Sequence, residues 1–234
     1  MTFPQYMEVF QDIRVRQAIA AALDVEAIAE AIYGKLGTVA DSNVAPGVRY
    51  YTPIRTNEYN LEKAKRLLSD AGYNEGDLEF LMIYPNVPIN EVLGPIVQDQ
   101  LARVGIKVNI ESGDFATIIP RLINDETELC LAVYGNGSLS ASQFLDTISE
   151  RTMLGAFRIS DTEFNDFLRA GNASIDPVVR AGIYKDAQEW LAERYWNIPI
   201  ASGSGAVLYH TNVDYLVSGG GGAEDVLLRH VKFN

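Results

Sequence analysis

Two histidines, His210 and His230, one cysteine, Cys130, and scattered carboxylates are the side chains here that could serve as nucleophiles, general bases or metal ligands. The histidines could in principle share a metal or support a hydrolase, but a third ligand at recognisable spacing is missing. Cys130 sits in the apolar run Leu129-Cys130-Leu131-Ala132-Val133, which reads as a buried, inert thiol. Asp125 and Glu126 fall in a polar stretch where solvation is the expected role. There is no Gly-x-Ser-x-Gly elbow, phosphate loop, dinucleotide fingerprint or zinc spacing, and the glycines at 219–222 precede neither a lysine nor a helix start. The reading is a protein that is not an enzyme and needs neither cofactor nor metal. Groups suited to recognition are better supplied. The apolar run ends in Gly135-Asn136-Gly137-Ser138-Leu139-Ser140, and open α/β sheets gather ligands beyond the carboxyl ends of their strands. The same residues also make an ordinary turn, the reading composition alone favours. Arg49-Tyr50-Tyr51 could touch a ligand, but tyrosines packed along the body are favoured over that.

The elements that must position these residues follow from periodicity. Ile13, Ala18, Ile19, Ala22, Ile28 and Ile32 recur at helical spacing, and Asp24 splits the run as an N-cap, giving two helices that stop by Gly34. Gly37 to Asn57 reads as an irregular connection. Asn60 caps a helix with the stripe Leu61, Ala64, Leu67, Leu68 and Ala71, and Gly72 stops it. Leu78 to Tyr84 is a strand, Glu91 to Val104 a helix with Pro95 in its first turn or kinking it, and Ile106 to Ile110 a second strand. That βαβ spacing predicts parallel neighbours joined by a right-handed crossover. A short helix around Ile118 to Ile123 leads to a third strand, Leu129 to Tyr134. Ser160 with Glu163 suggests a capping box, and Asp176-Pro177 starts the longest helix, whose Val179, Ile183, Ala187, Trp190 and Leu191 face inward. Short strands at Ala206 to His210 and Val226 to Phe233 make a tail too poor in apolar surface to fold alone.

The chain has 234 residues, 47% of them hydrophobic, enough for a sizeable core. Nineteen Lys and Arg against 31 Asp and Glu give a formal charge of −12, with no basic stripe, which argues against nucleic acid. No stretch is apolar for long enough to span a bilayer, and the first residues have neither the basic nor the apolar region of a secretory signal.

Four ordered segments resemble the peptide, nickel and oligopeptide class of ABC-transporter solute-binding proteins, solute-binding protein family 5. They are Phe10-x-Asp12-x-Arg14-Val15-Arg16-Gln17-Ala18-Ile19 on to Asp24; Tyr59-Asn60-x-Glu62-Lys63-Ala64 on to Ala71-Gly72-Tyr73; Ile96 through Leu101 to Val104-Gly105-Ile106-Lys107-Val108; and Arg180-x-x-x-Tyr184-x-x-Ala187-Gln188-x-x-Leu191 on to Ile198-Pro199. The resemblance implies an α/β fold, one lobe of a periplasmic-binding-protein-like (type II) architecture with a mixed sheet, flanking helices and hinge segments. Residues 1–10 would be the hinge leading in from a first lobe, 11–200 the ligand-covering lobe, and 201–234 a return segment packing on that missing lobe. It further implies capture of an extracellular solute, a peptide or peptide-like compound, between two lobes that close by a hinge, and delivery to ABC permease subunits in the membrane. The location implied is periplasmic or extracellular, with a signal or lipid anchor belonging to the full-length protein. Tyr134, Asn136, Gly137, Ser138, Ser140 and Gln143 would line the ligand side. Family peptide binders place an aspartate in this loop for the peptide amine, whereas here Asn136 or Gly137 stands at about its place. A buried ammonium would lack its carboxylate, which turns attention to sugars, neutral amides and blocked peptides. An interaction or sensing module built on the same fold is the competing reading.

Overall fold

The computed structural model describes residues 1–54, 57–131, 140–153, 155–203, 210–211, 213–215 and 231–233. Short polar side chains start its helices, as their type dictates. Asp12 accepts from the Arg14 amide at 2.8 Å to open α1 (Ile13–Ala22), and Asp24 accepts from Ala27 at 2.9 Å to open α2 (Val25–Tyr33). β1 (Gly37–Val39) interrupts the connection that follows. Asn60 accepts from Lys63 at 2.8 Å and opens α3 (Leu61–Asp70), and Gly72 beyond it has φ 93°, a conformation that favours glycine.

The βαβ unit forms as its spacing predicts. β2 (Leu78–Pro85) and β3 (Ile106–Gly113) pair in parallel from Leu78 opposite Ile106 to Pro85 opposite Gly113, joined by α4 (Pro88–Ala102). α4 begins earlier than Glu91, because Pro88 lacks the N–H a first-turn residue does not use and already has the helical φ. Pro95 is therefore inside the helix rather than in its first turn. Of the expected third strand, residues 129–131 lie among the described residues. Met82 bridges Leu129 in parallel, and side chains replace part of the ladder: Glu128 accepts from the Leu81 amide at 2.7 Å and Thr127 from that of Ile83 at 3.1 Å. Residues 132–134 of the expected strand lie outside the described residues. Thr2 continues the sheet, bridging Cys130 on one side and Asn197 on the other, both antiparallel. The sheet is thus mixed, as expected.

Alternation along β2 sorts its side chains to two faces. Phe80, Met82 and Tyr84 join the main core with Phe3, Phe10, Ile19, Leu101, Tyr184 and Leu191. Ile83 joins Ile118, Leu122, Cys130 and Phe157 on the other face, beneath α5 (Phe115–Ile123). Each such fully buried side chain contributes about 1.5–3 kcal/mol before the entropy of ordering.

α6 (Ala141–Thr147), α7 (Thr162–Ala173) and α8 (Pro177–Arg194) follow. The cap of α7 is Asp161, which accepts from Glu163 and Phe164 amides at 2.9 and 3.2 Å, and not Ser160. Glu163 turns instead to Trp190, accepting from its indole Nε1 at 2.7 Å. On α8, Ala187, Trp190 and Leu191 are buried, but Val179 is 51% exposed and so does not face inward. β4 (Ala201–Gly203) pairs antiparallel with β1, and β5 (Val213–Tyr215) with β6 (Val231–Phe233). Most of the expected strand Ala206 to His210 lies outside the described residues. No helix among the described residues is long and apolar enough to cross a membrane.

Candidate solute-binding edge

The carboxyl ends of β2 and β3 lie at one edge of the sheet, where open α/β sheets place ligands. The Asn86 amide donates to Gly113 O at 2.8 Å and ties the two strand ends together. Asp114 then caps α5, accepting from the Thr117 amide at 2.8 Å; that bond holds its carboxyl below the usual range. Four of the six expected ligand-side residues, Tyr134, Asn136, Gly137 and Ser138, lie outside the described residues. Ser140 and Gln143 are placed. Ser140 is half-buried at the start of α6 and Gln143 is exposed on its first turn.

Ser140 brings a second segment to this edge. Its backbone bridges Arg49 in parallel, and the Ala141 amide donates to Arg49 O at 2.9 Å. The strap around Arg49 is held from below by Gln188, a fully buried side chain on α8. Gln188 Nε2 donates to Tyr50 O at 2.8 Å, while its Oε1 accepts from Ser42 Oγ at 2.9 Å and from the Thr52 amide at 3.3 Å. Removing that amide would leave several buried groups without partners. Tyr50 packs on Tyr184 with ring centroids 5.4 Å apart, and Tyr51 donates to Asp41 at 2.7 Å. These tyrosines do pack along the body, as expected, while Arg49 projects into solvent. Sequence reasoning missed Arg180, whose Cζ stands 5.5 Å from the Tyr50 ring centroid. Nothing in its helical pattern marked it beyond its place in the fourth segment.

Cys130 is fully buried, and burial pushes its thiol well above the ordinary range, away from nucleophilic reactivity. His210 is exposed, and His230 lies outside the described residues. No group of three or more His, Cys, Asp or Glu is placed to hold a metal among the described residues.

The model of bacterial extracellular solute-binding proteins, family 5 Middle, matches residues 1–153. The chain belongs to this family. It is similar to heme-binding protein A of Haemophilus influenzae, 29% identical over 208 residues, covering 84% of this chain and 37% of the relative. It is also 26% identical over 200 residues to di/tripeptide-binding protein 1 of Pseudomonas aeruginosa, covering 82% of this chain and 37% of that protein. The crystal structure of a dipeptide-binding protein from a Pseudoalteromonas species, in complex with Met-Leu, superposes with a TM-score of 0.84 at 23% identity, over 100% of this chain and 47% of that one. The chain therefore spans less than half the length of these proteins.

Proposed function

We propose that this chain is the ligand-covering lobe of a family 5 substrate-binding component of an ABC importer, which captures an extracellular peptide or peptide-like solute for a membrane permease. The family match over residues 1–153, together with a fold shared with a dipeptide-binding protein along the whole chain, carries this reading. Residues 1–10 form the hinge approach, 11–200 the lobe, and 201–234 the segment returning to a first lobe. Tyr134, Asn136, Gly137, Ser138, Ser140 and Gln143 line the ligand side. The work is binding without turnover: the lobes close because some ligand contacts exist only when both meet. The whole protein acts outside the cytoplasm, held near the membrane that carries its permease.

Half a clamp forfeits the contacts of the other wall. Calorimetry with the solute that co-purifies with the full-length protein is expected to show the isolated chain binding it at least about tenfold more weakly, a difference of about 1.4 kcal/mol. Equal affinities would defeat the two-lobe reading.

A further inference from the structure

The strap that meets Ser140 and the first turn of α8 bring two cations to one ring. Arg49 Cζ lies 5.8 Å from the Tyr50 ring centroid and Arg180 Cζ 5.5 Å from it, so one ring has two guanidinium groups beside it. Like charges gathered in this way repel unless something offsets them. Several arginines elsewhere sit against acids: Arg14 with Asp12 at 2.5 Å, Arg103 with Asp99 at 2.6 Å, Arg121 with Glu111 and Glu126 at 2.6 and 2.8 Å, and Arg194 with Glu163 at 3.0 Å, while the buried Arg16 turns to the carbonyls of Phe10 and Arg194. Neither Arg49 nor Arg180 has a carboxylate partner among the described residues, in a chain where acids outnumber bases by 31 to 19. Arg180 also stands 5.8 Å from the Tyr184 ring centroid, and its buried Nε, like that of Arg158, has no hydrogen-bond partner among the described residues. The ring beside both belongs to Tyr50, held at φ 67°, a left-handed conformation that a bulky residue adopts at a cost and only where its surroundings enforce it. Gln188 supplies that enforcement through the Tyr50 carbonyl.

The sequence leading into α6 agrees in sign: from Tyr134 to Leu145 it carries no aspartate or glutamate, and so brings no acid to balance an ammonium. We infer that Arg49 and Arg180, both beside the Tyr50 ring, form a subsite for a carboxylate of the solute. The substrate class is then a compound with a free carboxylate and no free amine nearby, an N-blocked peptide for example. A planar carboxylate matches the guanidinium fork in two parallel bonds, and the tyrosine ring gives the adjoining chain an apolar platform. This inference rests on the solute-binding reading above and narrows its ligand.

Its test follows the arginine side-chain Nε–Hε resonances of the ¹⁵N-labelled chain during titration with N-acetyl-dialanine, with its C-terminal amide, and with inorganic phosphate. N-acetyl-dialanine is expected to shift the Arg49 and Arg180 signals saturably, the amide to leave them in place, and phosphate to shift them more weakly. Arg49→Gln, an exposed change that spares the core, should weaken binding of the acid about tenfold, and added salt should weaken it further. Arg180→Lys keeps the charge and loses the fork, so it should bind the acid more weakly than the parent chain. Equal shifts with acid and amide, no shift with either, or a stronger response to phosphate would overturn the carboxylate subsite. The two readings fail separately. A full-length protein that retains solute while these signals stay silent loses only the subsite, whereas one that retains no solute loses the transport reading whatever the arginines do.

Discussion

Gly94 shows how a single hydrogen atom can outweigh a propensity. It lies inside α4, where glycine costs about 1 kcal/mol relative to alanine, so helix propensity alone would have Gly94→Ala stabilise the fold. A Cβ built there would stand 2.2 Å from Tyr84 Oη and 2.5 Å from its Cε1. The Tyr84 ring is buried in the main core and has little room to retreat. Overpacking of this kind costs about 1–3 kcal/mol, more than the propensity gain. Urea denaturation of Gly94→Ala should therefore give a lower midpoint than the parent, and an unchanged or higher midpoint would show that the ring can move. Gly171 repeats the device, with the Tyr184 ring 2.7 Å from its would-be Cβ. In both places the glycine admits a tyrosine whose hydroxyl end reaches toward a helix.

At the scale of elements, several helix starts were legible because a cap is a local event between residues two or three apart. Asp24, Asn60 and Asp176 accept the amide bonds their positions suggest, while Asp12 and Asp114 cap helices that periodicity alone had marked. The start of α7 differed because two adjacent candidates, Ser160 and Asp161, compete, and only the packing of Trp190 decides what Glu163 does. Since Asp161 holds both amides, Asp161→Ala should cost about 1 kcal/mol in thermal or chemical denaturation while Ser160→Ala leaves stability nearly unchanged. The reverse order would restore the capping box. What precedes the third strand was harder to read, since an apolar run reports burial and not pairing: the Thr127 and Glu128 side chains accept amides of β2 just ahead of Leu129. The candidate site was less legible still. A Gly/Ser-rich loop announces an edge, but nothing local reveals that Arg49 and Arg180, far apart in sequence, both lie beside one ring.

Across the whole molecule, the sheet is completed by residues from distant parts of the chain. Thr2 donates to Cys130 O at 2.9 Å and accepts from the Cys130 amide at 3.3 Å, while Asn197 Nδ2 donates to Thr2 Oγ1 at 2.6 Å in a buried contact. Closing loops of this length costs entropy that grows only slowly with length, so a few buried bonds and the packing of Phe3 and Phe10 can hold the arrangement. If those bonds keep the sheet shut, the thiol beside them is a reporter. Cys130 is 0% exposed, and burial, the larger influence on it, raises its pKa and suppresses the reactive thiolate. Thr2→Pro deletes the amide that reaches Cys130 and forbids the pairing geometry. The variant should label with a thiol reagent many times faster than the parent under native conditions, at a temperature where circular dichroism still shows a folded chain. A second variant, Asn197→Ala, keeps the Thr2 amide and loses only the side-chain contact, so its labelling should fall between the two. Equal labelling in all three proteins would mean that Cys130 is guarded by α5 and Phe157 alone, and that the first strand-like segment merely rests against a sheet already closed.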